Sequence, residues 1–292
     1  MSLGALVLLA APIIGGTPTT KTDFPAVAGV FISGALCTGE LIQPDWVMTA
    51  AHCLDPKVLG AASQDAVTAQ TTVIFGVTNL GQIVGRNAIP AMETFVDPLW
   101  DKAHFGKHDL GLIHLSKPNA GATPLGVNFK ASRADIGIAV TMVGFGTTSS
   151  DPSASAGVEF QLGGQVSESC GDFSVGGGAT LDDGDLLCFT QAKGQGTCEG
   201  DSGGPLLAMV DGAPAIVGVT SFGDQACTSY GAYTRTDAEI AFVKAHIPAL
   251  CDGTACVDDG ATSGGCDASG RGGPIAGVGA ALLGLVMRRR RR

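Results

Sequence analysis

Basic residues are scarce in this 292-residue chain and unevenly placed. Neither Lys nor Arg occurs before Lys21, and six of the 17 lie from Arg271 onward, so residues 13–270 carry a formal charge of −16 where the whole chain carries −10. An acidic body of that kind repels nucleic acid, and its plain use is solubility in an extracellular medium. Charge of either sign is sparse, at 15% of residues against 45% hydrophobic, while Gly fills 44 positions, about twice its usual share. That balance excludes a helical bundle and suits many short strands joined by tight turns. Apolar runs of membrane-spanning length are lacking too. Residues 275–287 form 13 uncharged, mostly apolar positions, which as a helix would cover only ~20 Å of a ~30 Å hydrocarbon core.

Cysteine, by contrast, is abundant. Nine residues are many for a cytosolic enzyme and fit an exported, disulfide-bearing protein, with at least one thiol left over by the odd count. Leu3 to Ala11 reads as the apolar core of a secretory signal that lacks the usual preceding basic residues; a start upstream of Met1 would supply them. From about 26 to 236, short apolar segments alternate with Gly, Asp and Ser clusters: Ala26 to Ile32, Thr71 to Phe75, Leu110 to Leu115, Ile138 to Val143 and Ala215 to Phe222. These read as strands and turns. The one convincing helix of the body is Asp237 to Ile247, with Asp237 as N-cap and Ile240, Phe242, Val243 and Ile247 on its apolar face. Residues 251–273 read as a flexible Gly/Asp-rich linker. Residues 274–292 form a short apolar segment closed by Arg288 to Arg292, a cluster that favours a cytoplasmic C-terminus.

Three segments carry chemistry together. Thr49-Ala50-Ala51-His52-Cys53 ends one apolar strand, His108-Asp109-Leu110-Gly111 leads into another, and Gly200-Asp201-Ser202-Gly203-Gly204-Pro205 is a Gly-rich turn. A serine hydroxyl is a poor nucleophile until an imidazole takes its proton, and the imidazole needs a buried carboxylate to fix its tautomer and balance its charge. His52, Asp109 and Ser202 fit those roles. Asp97 and Asp101 are weaker candidates for the acid because neither leads into a buried strand, and His104, His108, His114 and His246 read as surface or core histidines. Gly200 to Gly204 also satisfies the G-x-S-x-G turn of α/β-hydrolases, but that fold places its acid and His after the Ser, and only His246 follows here.

In their order these segments resemble the chymotrypsin/trypsin-like serine proteases. The resemblance implies an all-β fold for residues 13–250: two antiparallel six-stranded β-barrels, about 13–125 and 126–236, with the active site between them and a C-terminal helix at 237–247. It implies an oxyanion hole from the N–H groups of Gly200 and Ser202. Ile13-Ile14-Gly15-Gly16 looks like the family's mature N-terminus, so cleavage after Pro12 would free an Ile13 ammonium to pair with Asp201. Cys37 with Cys53, Cys170 with Cys188, and Cys198 with Cys227 match family disulfides, and Gly144-Phe145-Gly146 and Ser221-Phe222-Gly223 match family segments that usually carry Trp in place of Phe. The expected substrate pocket comprises Gly196, Thr197, Ser221, Phe222, Gly223 and Gly231. With Gly196 where basic-specific members carry Asp, it should favour apolar or aromatic side chains at the residue before the cut (P1), unless Glu199 or Asp224 reaches inward. No acid occurs between Val67 and Met92, so the family's calcium loop has no support; no cofactor or metal is implied, and the partners are protein or peptide substrates of a monomer.

Gly265-Cys266, the apolar run and the terminal Arg resemble the C-terminal sorting signals of bacterial surface proteins, most closely the MYXO-CTERM type. On that reading Cys266 is the processing or attachment point, sorting machinery and transient membrane insertion follow, and the protein is secreted or displayed on a bacterial envelope. The alternative is a disulfide with Cys251 or Cys256. A catalytically silent homologue serving as a binding module is the competing function, but such proteins usually lack one of the three catalytic residues, and all three are present.

Overall fold

A computed structural model describes residues 13–82, 87–103, 106–131, 134–147, 156–173 and 181–250. The signal-like segment, His104, the linker with Cys251 and Cys256, and the tail with Cys266 lie outside the described residues. Among the described residues there are fourteen strands and three short α-helices, with single 3-10 turns between them. Six of the strands, β2 (Val27–Ile32), β3 (Ala35–Gln43), β4 (Trp46–Thr49), β5 (Thr71–Ile74), β6 (Ala88–Val96) and β7 (Gly111–Leu115), close on themselves in the order β2-β3-β4-β7-β6-β5. Closure leaves no free edge and puts Val30, Leu41, Val47, Val73 and Leu112 into one apolar core.

The second half supplies the other β unit of the expected fold, as a half-barrel sheet rather than a ring closed on itself. Its long strands are β9 (Ala139–Gly144), β10 (Phe160–Val166), β11 (Leu186–Thr190), β12 (Pro205–Val210), β13 (Ala213–Gly223) and β14 (Tyr230–Arg235), ordered β10-β9-β12-β13-β14-β11. Two-residue strands β1 (Thr17–Pro18) and β8 (Gly126–Val127) join β10 and β13, giving eight strands in an open sheet. Its ends meet at a single bridge, Glu168 to Cys188, reinforced by the Cys170–Cys188 disulfide. Tight connections follow from local chemistry. Asp211-Gly212, both at positive φ, turn β12 into β13 as a two-residue hairpin loop requires.

Helix α1 (Pro56–Leu59) is capped by Asp55, whose carboxylate accepts from Lys57 N at 2.8 Å, and α2 (Gln64–Ala69) by Ser63, which accepts from Ala66 N at 3.2 Å. The sequence reading contains neither. The C-terminal helix α3 runs Ile240–His246, shorter than expected, and Asp237 is not its cap. Arg235 claims that carboxylate at 3.0 Å instead. Through Phe242, Val243 and Ile247 the helix packs into the core of the first barrel, so the end of the chain ties the two halves together.

Candidate active site

The register Thr49 to Gly111 between β4 and β7 brings the segments following β4 and preceding β7 to one end of the closed barrel. His52 sits there in a single 3-10 turn, Ala51–Cys53, and Asp109 two residues before β7. Although 57 residues apart, they are joined twice: His52 N–H donates to Asp109 Oδ1 at 2.8 Å, and His52 Nδ1 donates to Oδ2 at 2.8 Å. The carboxylate thus fixes the Nδ1–H tautomer and leaves Nε2 as the free base. Asp109 is 1% exposed, and Ser221 Oγ donates to Oδ2 at 2.5 Å. Burial works against charge on both partners, but their attraction and hydrogen bonds prevail, lifting the His52 pKa above its ordinary value and holding Asp109 below its own. The Cys37–Cys53 disulfide anchors the turn carrying His52.

Ser202 belongs to the turn entering β12, and the closed barrel grips that turn through Thr38. Thr38 N–H donates to Ser202 O at 2.8 Å, its hydroxyl donates to Gly200 O at 2.9 Å, and the same hydroxyl accepts from Phe145 N at 3.0 Å. Gly203 is required here: at φ +82° a Cβ would collide with Thr49 Oγ1 and Thr38 O. Neither Gly200 N–H nor Ser202 N–H donates to an acceptor among the described residues. No hydrogen bond joins His52 Nε2 to Ser202 Oγ; Nε2 lies 3.7 Å from Cys53 Sγ.

Asp201 is fully buried, with Oδ1 accepting from Gly146 N at 2.8 Å and Oδ2 from Cys198 N at 2.9 Å. Burial outweighs those two donors and pushes its carboxyl up to about 7. Ile13 is buried in the second core, and Gly196 N donates to Ile14 O at 3.0 Å, so the start of the domain docks beside Asp201's half of the site. Ile13 and Asp201 are not paired in this chain.

A cleft of about 150 Å³ opens beside Ser202, lined among others by Thr197, Glu199, Ser221, Phe222, Gly223 and Asp224. Gly196 and Gly231 stand behind its wall, with the buried Gln191 side chain between them: a Cβ on Gly196 would overlap it, and one on Gly231 would come within 2.9 Å of its Nε2. Gln191 Nε2 donates to Thr197 O at 2.9 Å and Thr197 Oγ1 lies 2.7 Å from Tyr233 Oη, giving this end of the cleft polar but uncharged support. Asp224 is occupied as a turn staple, accepting from Thr228, Ser229 and Tyr230 N–H groups. Burial raises its pKa, but those donors overcome the effect and hold it below the ordinary value. Sequence reasoning had no signal for Thr38 or Gln191, and it placed Ser221 only in the pocket, whereas its hydroxyl also serves Asp109.

All six described disulfide cysteines pair as the resemblance implied. Among known proteins, the family model described as Trypsin matches residues 13–243. Brachyurin of Leptuca pugilator is 30% identical over 228 residues, covering 76% of this chain and 93% of the relative. Chymotrypsin-like elastase family member 1 of Felis catus is 28% identical over 80% of this chain and 88% of its own. Kallikrein-8 of Homo sapiens is 30% identical over 74% and 77% respectively.

Proposed function

Because the chain belongs to the trypsin family of serine endopeptidases, we propose that it hydrolyses peptide bonds with Ser202 as nucleophile, His52 as general base and acid, and Asp109 as the carboxylate that orients His52. The observation that carries this reading is the pair of hydrogen bonds from His52 to Asp109 beside a turn whose Gly200 and Ser202 N–H groups have no acceptor among the described residues. Ser202 Oγ attacks the scissile carbonyl as His52 Nε2 takes its proton. The developing oxyanion accepts from the two idle N–H groups, each worth about 3 kcal/mol to the transition state. His52 then delivers the proton to the leaving amine, and water repeats the sequence on the acyl-enzyme. The His52 to Ser202 hydrogen bond forms when substrate completes the site, as is common for catalytic contacts.

Competence is coupled to the start of the domain. A freed Ile13 ammonium would supply the cation that the buried Asp201 carboxyl lacks, and burying an unpaired carboxylate is costly. Apolar or aromatic P1 side chains are favoured over Arg or Lys, since Gly196 brings no carboxylate and, of the two acids that line the cleft, Asp224 is held in its own turn and Glu199 is exposed to solvent. Three disulfides suit an oxidising compartment. Cys266 with its apolar run supports display on a bacterial surface through C-terminal sorting, which mass spectrometry of the mature C-terminus tests: an intact Arg292 on exported protein overturns it.

A serine-directed fluorophosphonate tests the activity. Protein processed to begin at Ile13 should label at Ser202, and Ser202→Ala should not; a wild type that fails to label makes the fold a binding module. Loss of Ser202 or His52 should cost on the order of 10⁶ in kcat. A peptide library cut best after Arg would reject the P1 assignment.

A further inference from the structure

Directly behind Asp109 lies a second group of ionisable side chains that the reaction above does not use. Asp97 and Glu239 are 2% and 3% exposed, and His108, the residue preceding Asp109, lies between protein and solvent. His108 Nδ1 is 3.1 and 3.0 Å from the two Glu239 oxygens, and one ligand atom from each of the three side chains falls within 4.8 Å of the others. Three separate elements meet here: the end of β6, the approach to β7 and the start of α3. The first two bracket Asp109 through their backbones. His108 is held at φ +56°, unfavourable for a residue with a side chain, and its carbonyl accepts from Leu110 N at 2.9 Å, while Leu110 O accepts from Asp97 N at 3.1 Å. The Asp97 turn also carries Trp100, whose N–H donates to Asp97 O at 3.0 Å and whose ring lies 6.5 Å from that of His52.

We propose that Asp97, His108 and Glu239 form a proton-holding clamp in which Glu239, from the C-terminal segment, is a positioning residue for Asp109 and for the Trp100 wall beside His52. Two carboxyl groups so buried and so close do not both ionise cheaply, and Glu239 is the one that keeps its proton. In support, burial foremost, with the Asp97 charge added, outweighs the His108 contacts and pushes Glu239 up to about 7. Neighbouring charges are committed elsewhere: Lys107 to Asp185 at 3.1 Å, Arg235 to Asp237 at 3.0 Å, and His246 Nδ1 to the Phe242 carbonyl at 3.1 Å. The strained His108 conformation is held from one side by Glu239 and from the other by the turn into β7, so releasing Glu239 lets Asp109 shift relative to His52.

This rests on the assignment of His52, Asp109 and Ser202, so three variants are compared by kcat, KM and pH profile on protein processed to Ile13. Glu239→Ala should lower kcat roughly tenfold, the scale of a small misplacement, with KM within about twofold. Glu239→Gln, which mimics the protonated carboxyl, should restore most of that kcat and hold it to higher pH than wild type does. Ser202→Ala is the null: a wild type no faster than it rejects the catalytic assignment and not the clamp. An infrared difference spectrum between wild type and Glu239→Gln near pH 6 tests the clamp without turnover and without the Ala variant, by a protonated carboxyl band present only in wild type. Equal kcat for Ala and Gln variants, absence of that band, or a Zn²⁺-induced rise in wild-type melting temperature that Glu239→Ala abolishes would each overturn the proposal.

Discussion

The two halves of the molecule contribute unequally to one site. The closed barrel delivers His52 and Asp109 from adjacent strand ends, with one disulfide at the turn and a carboxylate that already has its donors. The open sheet delivers Ser202 on a Gly-rich turn, carries two disulfides, and leaves Asp201 buried on two N–H groups without a cation. On the proposed reading the base and acid already face each other in the fold, while the nucleophile turn depends on what reaches it from outside: Thr38 across the seam and Ile13 after processing. On that reading, control by processing needs to act on only one of the two halves.

The largest test of that asymmetry is Asp109→Asn, which leaves the shape and removes the charge. A loss of about 10⁴ in kcat is expected, with the acid limb of kcat/KM moving to lower pH because the charge that raises His52 is gone. The stability signs are opposite for the two partners. Raised His52 stabilises below its unfolded value near 6.5 and loses that contribution as pH rises through its folded value; lowered Asp109 stabilises above its unfolded value and loses that contribution as pH falls through its folded value. An acid limb unmoved in Asp109→Asn would mean another group sets it.

Next in size is Gly203→Ala at the seam. Positive φ and collision with two backbone or side-chain oxygens of the closed barrel should cost roughly 3–5 kcal/mol of unfolding free energy. Gly212→Ala, at φ +88° with open space around it, should cost only about 1 kcal/mol. Equal melting temperatures for the two variants would show that the seam yields and that Thr38 does not fix the nucleophile turn.

Much of this asymmetry was visible in the sequence, and what was hidden is of one kind. Apolar runs bounded by Gly and Asp placed β2, β5, β7, β9 and β13 within two residues of their observed limits, because strand period and turn chemistry are local. The residues of the proposed triad could be named from the sequence for the same reason: each lies within a short motif. Helices α1 and α2, at four and six residues, are too brief to show periodicity and were betrayed only by their caps Asp55 and Ser63. Thr38 acts on Gly200, 162 positions away, and the Ser221 hydroxyl on Asp109, 112 positions away; Gln191 bonds Thr197 only 6 positions on, but its place is set by Gly196 and Gly231 around it, and no local pattern encodes such partners. Asp237 failed as a cap because Arg235, two residues away, competes for it at a strand end that the helix pattern does not reveal.

Glu40 offers the smallest and sharpest test, because it puts a charge-bearing group on the side of the molecule described above as complete. It shares a face of β3 with Thr38, which reaches across to Gly200; Glu40 is 0% exposed, and neither of its carboxylate oxygens has a hydrogen-bond partner among the described residues. Burial pushes its pKa well above the ordinary carboxylate value. A folded-state value above the unfolded one means the native state holds the proton more tightly, so this residue lowers stability as pH rises from the unfolded value through the folded one. Glu40→Met fills similar space without the desolvation cost and should raise unfolding free energy by about 1–3 kcal/mol near neutral pH, flattening the pH dependence of stability over that window. Melting curves at several pH values measure both. A variant less stable than wild type at every pH would mean that Glu40 has a partner in solution, and the closed barrel would then share the open sheet's dependence on a group from outside.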